Sequence, residues 1–253
     1  MSIAGAEVGR PTSIDEVDAA WLTAVLRTSG TLGSDGEVGG VSVEPFAEGV
    51  GFLSLLHRAT LTYDGPADGA PATVIIKMVT DLESQRGIAD ALQFYQRELR
   101  FYREIAAGLE FRTPVVHAAV IAEDSTDFVL VMEDLSELRG LDQTAGVGED
   151  DAMLSVWSMA GLHAHFWGQD LADLETTFLP FDNPIYRAAL PAVFAGGWET
   201  CKAVAADLLD PEVVAYGDRF AELVPFFIEE IYREPTLIHG DWRADNLLVD
   251  DNG

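Results

Sequence analysis

The sequence predicts an α+β protein of two lobes: a β-rich N-terminal lobe over residues 1–136, with residues 1–40 as a helical lead-in, and a mainly helical lobe over residues 137–253. Three observations carry this. From Val41 to Val79 the chain runs in short β-rich stretches broken by "EGVG" and "YDGPADGAP". After Ser136 the apolar residues recur mainly at helical spacing. Neither half contains a repeat or a low-complexity linker.

The elements follow in order. "SIDE", Ser13 to Glu16, is a capping box, a hydroxyl with an acid three residues on. Ile14, Val17, Trp21 and Val25 then recur at helical spacing until Ser29-Gly30 stops the helix. "TVIIKMVT" is an apolar strand carrying one lysine, and a long helix is expected from Ile88 to about Ala107. "TPVVHAAVIA" and "DFVLVMEDL" are strands either side of the turn-rich "EDSTD". "DDAMLSVWSMAGLHAHFWG" reads as a helix with Met153, Val156, Ala160, His163 and Trp167 on its buried stripe. Further helices are expected around Ala188–Ala206 and Pro211–Tyr232.

Composition limits the partners. Apolar residues make up 48% of 253 residues, enough for a sizeable core. Fifteen basic residues stand against 43 acidic ones, a formal charge of −28. There is no basic excess to displace phosphate counterions or to seek an anionic bilayer, which argues against nucleic acid and membrane partners. Cys201 is the only cysteine, so neither an intrachain disulfide nor a cysteine metal cluster can form. No apolar run is long enough to span a bilayer and the first residues lack a signal core, so a cytoplasmic location is expected.

Two charges stand on apolar faces. Lys77 alternates with Ile75 and Val79 while Val74, Ile76 and Met78 point the other way, so both faces of the strand are apolar. A lysine near a strand end can snorkel to water. The next helix, however, offers Glu98 as the only acid on the stripe Phe94, Glu98, Phe101 and Ile105, and an ion pair across that interface is favoured. Upstream, Gly49 and Gly51 lie between two strand-like runs, where a G-x-G pair is usually a tight turn and can also bring backbone N–H groups to an anion. A glycine-rich hairpin, a strand lysine and a helix glutamate, in that order, are the parts with which protein-kinase-like enzymes clamp a nucleotide.

Their catalytic loop is H-R-D-x-x-x-x-N. "LIHGDWRADNLLVDDNG" holds His239-Gly240-Asp241, then four residues, then Asn246. Such an aspartate can take the proton of an attacking hydroxyl, and such an asparagine can present its amide oxygen to Mg²⁺.

On these residues the chain resembles the aminoglycoside-phosphotransferase and choline-kinase-like superfamily of small-molecule kinases, in particular bacterial phosphotransferases related to ecdysteroid kinases. The resemblance covers roughly Val41 to the end and rests on "IIKM", "RELRFYREI", "VLVMEDLS", "LHAHFWG" and "HGDWRADNLLV". Gly240 in place of arginine is typical of the small-molecule branch. The resemblance implies a protein-kinase-like two-lobed fold and transfer of the ATP γ-phosphate to a small-molecule hydroxyl, with Mg²⁺. It implies that Lys77 holds the phosphates, Glu98 orients Lys77, and the backbone from Glu133 through Asp134 to Leu135 meets the adenine edge. Gly49 and Gly51 would cover the phosphates, although Ser54 stands where a third glycine belongs. Asp241 would be the catalytic base, Asn246 a Mg²⁺ ligand and Arg243 a phosphate contact.

The family pattern places a second metal-binding aspartate after a short hairpin, and "VDDNG" reads as the start of that hairpin. On this reading the chain is C-terminally truncated and transfers negligible phosphate as it stands. The alternatives are a non-catalytic binding protein that keeps the fold, and a metal-dependent hydrolase built on His163/His165 and His239/Asp241. Residues two apart on a helix diverge by about 200°, so His163 and His165 do not converge on one ion. The acceptor is left open: acidity suits a cationic aminoglycoside or choline, and a steroid, lipid or sugar alcohol is equally allowed.

Overall fold

A computed structural model describes residues 2–46, 54–80, 82–122, 126–231 and 233–250, and the chain divides into two compact units, 1–165 with 239–253, and 166–238. The first unit is built on a five-stranded antiparallel sheet in the order β1-β2-β3-β5-β4, from β1 (Glu37–Pro45), β2 (Ser54–Asp64), β3 (Thr73–Val79), β4 (Val116–Ile121) and β5 (Phe128–Glu133). This is the expected α+β architecture.

The sheet is covered on both faces, so its central strands read as continuous apolar runs rather than alternating ones. On one face Val74, Ile76, Met78, Val129 and Val131 pack with Leu22, Val25 and Leu26 of α1 (Ala19–Thr28). On the other, Phe128, Leu130 and Ala119 pack with Tyr95 and Leu99 of α3 (Phe94–Arg100). Burying each such side chain fully contributes about 1.5–3 kcal/mol.

The start of α1 differs from the sequence expectation. Residues Ile14–Glu16 form a short 3₁₀ turn, Ser13 makes no side-chain cap, and Glu16 instead accepts from the Thr12 N–H at 2.6 Å and hydroxyl at 2.9 Å. The cap is Asp18, whose carboxylate accepts from the Trp21 N–H at 2.8 Å. The pattern S-x-x-E is satisfied by a single turn as well as by a helix, and Asp18 is the residue beside the first long apolar stripe. Asp18→Ala is therefore expected to lower stability by about 1 kcal/mol and Ser13→Ala to leave it unchanged, measured by urea unfolding.

The long helix expected from Ile88 is broken. α2 (Glu83–Ala91) ends before Gln93, which adopts φ +54°, and α3 gives way to a π turn over Phe101–Ile105. Tyr95 and Leu99 are the buried residues of this helix, Phe94 packs beside them partly buried, and Tyr95 stacks on Phe128 with ring centroids 4.6 Å apart. Glu98 lies on the edge shared by both stripes and keeps its inward position.

α4 (Glu149–Phe166) forms as expected, with a different buried face: Leu162 and Phe166 are buried, whereas Met153, Val156 and Trp167 are each more than half exposed. Apolar residues lie all around this helix, so periodicity does not single out a face. The second unit contains α5 (Pro184–Val204) and α6 (Pro211–Ile231). Gly217 of α6 lets Trp198 of α5 come close, since a Cβ there would stand 2.3 Å from the indole. No described helix is long and apolar enough to cross a membrane.

Candidate active site

Strand alternation puts Lys77 on the α3 side of β3, opposite Leu130. Its Nζ donates to both carboxylate oxygens of Glu98, at 2.7 and 2.8 Å, and the two side chains are 22% and 24% exposed. Such a pair is held out of bulk water yet open on one side. The Tyr102 phenol beside it is pushed above its ordinary pKa by burial and, secondarily, by the Glu98 charge.

The loop of His239, Gly240 and Asp241 is shaped by its glycine. Gly240 has φ +84°, which any other L-residue adopts only under strain. Nδ1 of His239 accepts from the Asp241 N–H at 3.2 Å, and the ring meets Trp242 edge to face. Partial enclosure pulls the His239 imidazole below its ordinary pKa, while the charges of Asp241 and Glu98 pull the other way.

Asn246 closes the loop. Its Nδ2 donates to the Asp241 carbonyl and to Asp241 Oδ2, both at 2.9 Å. That turns Oδ1, the amide's acceptor, away from Asp241. The other carboxylate oxygen of Asp241 has Arg243 Nε at 3.5 Å, and Arg243 also approaches Asp245 at 3.8 Å. Asp241 is 64% exposed. The loop is anchored on three sides. Trp242 Nε1 donates to Ser155 Oγ of α4 at 2.7 Å, Asp245 accepts from the Gln143 N–H at 3.0 Å, and β7 (Leu248–Val249) pairs with β6 (Arg139–Gly140).

At the segment after β5, the Glu133 N–H donates to Val115 at 2.8 Å and the Ser136 N–H to the Asp134 carboxylate at 3.0 Å. The Glu133 carboxylate binds Arg112 at 2.6 Å. A donor from this segment to a ligand would therefore come from Asp134 or Leu135. Burial pushes the Asp134 carboxyl up, but bonds from Ser136, Arg58 and Thr73 outweigh it and hold the pKa below the ordinary range.

Lys77 and Glu98 are thus brought together, as are Asp241, Asn246 and Arg243, all within the first unit. Gly49, Gly51 and the "NG" at residues 252–253 lie outside the described residues. Three features were missed in the sequence: the Trp242–Ser155 bond, the Glu133–Arg112 pair and the Arg58–Asp134 pair. Only the first left a signal, an indole inside an otherwise polar loop.

The residues present fit the groups that the motifs imply. An ammonium fixed on one flank suits phosphate, and the Asn246 amide oxygen is a hard donor of the kind Mg²⁺ takes. Among the described residues no cluster of three or more His, Cys, Asp or Glu side chains gathers as a metal site. The model of the ecdysteroid kinase-like family matches residues 48–253. No curated protein matches the chain.

Proposed function

This chain belongs to the ecdysteroid kinase-like family, and from that premise we propose that it transfers the γ-phosphoryl group of ATP to a hydroxyl of a small molecule such as an aminoglycoside, choline or a steroid-like alcohol. The observation that carries the reading is the bidentate Lys77–Glu98 pair in one unit with a loop whose asparagine steadies its aspartate. Structural pairs need no exposed carboxylate nearby; a phosphoryl-transfer site needs both.

In this mechanism Lys77 binds phosphate oxygens, and Glu98 fixes its ammonium so that no rotamer freedom is lost on binding. Asp241 accepts the proton of the acceptor hydroxyl as the oxygen attacks phosphorus. Asn246 holds Oδ2 of Asp241, so the proton goes to Oδ1, which has Arg243 Nε at 3.5 Å. The Asn246 amide oxygen would hold Mg²⁺. When bound, the ion would supply charge neutralisation between the β- and γ-phosphates. The Asp134–Leu135 backbone would meet the adenine edge, and Arg243 would approach the transferred phosphoryl group.

Screening a small library of alcohols for ATP consumption by the full-length protein tests the reaction. Nucleotide binding tests the site separately. Lys77→Ala removes charge-assisted hydrogen bonds, each contributing about 1.5–3 kcal/mol, so Mg·ATP affinity should fall roughly 10- to 100-fold by calorimetry. Unchanged affinity in a folded Lys77→Ala protein rules the site out.

A further inference from the structure

Arg58 lies on β2 directly opposite Ile75 and Glu44, on the sheet face that carries Lys77 two residues beyond Ile75. Its Nε donates to Asp134 Oδ2 at 2.8 Å, and the Asp134 side chain is only 5% exposed. The guanidinium also lies 4.4 Å from the centroid of the Phe46 ring. Glu44 is a distant and exposed third partner at 3.8 Å.

Asp134 works in two directions. Oδ2 takes Arg58, while Oδ1 accepts from the Ser136 N–H at 3.0 Å and hydroxyl at 2.6 Å. One carboxylate therefore joins the segment after β5 to β2. Phe46, whose N–H donates to Leu56 at 2.9 Å, ends the described part of the strand running toward Gly49 and Gly51. Arg58 thus touches two separate chain segments, one by a buried charge pair and one by its guanidinium over a ring. A lysine could satisfy the first contact, but a planar, forked cation bonds the carboxylate and at the same time lies flat over the ring.

We propose that Arg58 is a positioning residue for the nucleotide base, fixing the Asp134–Leu135 segment and the Phe46 end of β1 at the separation that seats adenine. This rests on the kinase reading above. Arg58 acts on the base through these two segments, whereas Lys77 acts on the phosphates. The two therefore separate when the base is removed from the ligand.

The test compares Mg·ATP with Mg·tripolyphosphate, which has no base, by calorimetry on the full-length protein and its Arg58→Met, Arg58→Lys and Lys77→Ala variants. Arg58→Met is expected to weaken ATP about tenfold and to leave tripolyphosphate unchanged. Arg58→Lys keeps a charge for Asp134 without the plane over Phe46 and is expected to weaken ATP about threefold, again with no change for tripolyphosphate. If Arg58→Met does not fold, Arg58→Lys decides. ATP affinity equal to that of the unmutated protein overturns the proposal, and so does parallel loss of both ligands, which marks a merely structural pair. If Lys77→Ala loses both ligands while the Arg58 variants lose neither, only the Arg58 proposal fails. If Lys77→Ala loses neither, the kinase reading fails first.

Discussion

Asp241→Ala in the full-length protein is expected to lower turnover by about 10²- to 10⁴-fold, the range contributed by a positioned general base. Mg·ATP affinity should change much less. Asp241 is mostly exposed; it is hydrogen-bonded by Asn246 at 2.9 Å and has Arg243 only at 3.5 Å. Losing the carboxylate therefore removes an interaction made with the attacking hydroxyl, which lowers kcat more than it raises KM. Asp241→Asn is the sharper variant. It keeps the size and a hydrogen-bonding group for Asn246 but accepts no proton, so its turnover should fall nearly as far. Near-normal turnover in either variant, measured by coupled ATP hydrolysis at saturating acceptor, would mean that Asp241 is not the base.

The largest stability effect is expected at Phe128. It is fully buried at the start of β5 and stacks on Tyr95 at 4.6 Å. Phe128→Ala should reduce the free energy of unfolding by about 3–5 kcal/mol, as large-to-small aromatic replacements in cores do. That is a large share of the 5–15 kcal/mol typical of a domain. The site should feel it too. α3 carries Glu98 between Tyr95 and Leu99, so a cavity beneath Tyr95 loosens the helix that orients Lys77. The expected pattern is a lower urea midpoint together with weaker nucleotide binding. A loss below about 1 kcal/mol would mean the cavity collapses without consequence.

The parts of the site that were legible in the sequence are those where one residue breaks a local rule. Lys77 and Glu98 are single charges on apolar faces, and physical chemistry leaves them few solutions but each other. Asp241 and Asn246 stand at a spacing that one loop can close, and in the structure one amide does close it. The strands and α5 and α6 were legible for the same local reasons.

What stayed hidden depends on contacts between residues far apart. Arg58 in "LLHRATL" reads as an ordinary outward position of a strand; its meaning comes from Asp134, 76 residues away. The capping box at Ser13 was misleading because a 3₁₀ turn and a helix share the same first four residues. The break at Gln93 has no glycine or proline to announce it, and it follows from the fit of Tyr95 against Phe128. The exposed stripe on α4 was misread because a helix apolar on every side has no preferred face.

The helix α1 has a consequence for how this lobe can be handled as a unit. The family match begins at residue 48, yet Leu22, Val25 and Leu26 complete the core beneath Val74, Ile76, Val129 and Val131. Excising the lobe at the homology boundary would remove β1 together with α1 and leave one face of the remaining four strands wet and adhesive. The stretch recognised by kinship and the stretch able to fold by itself are different lengths of the same polypeptide, and fragments for expression should be cut by the second.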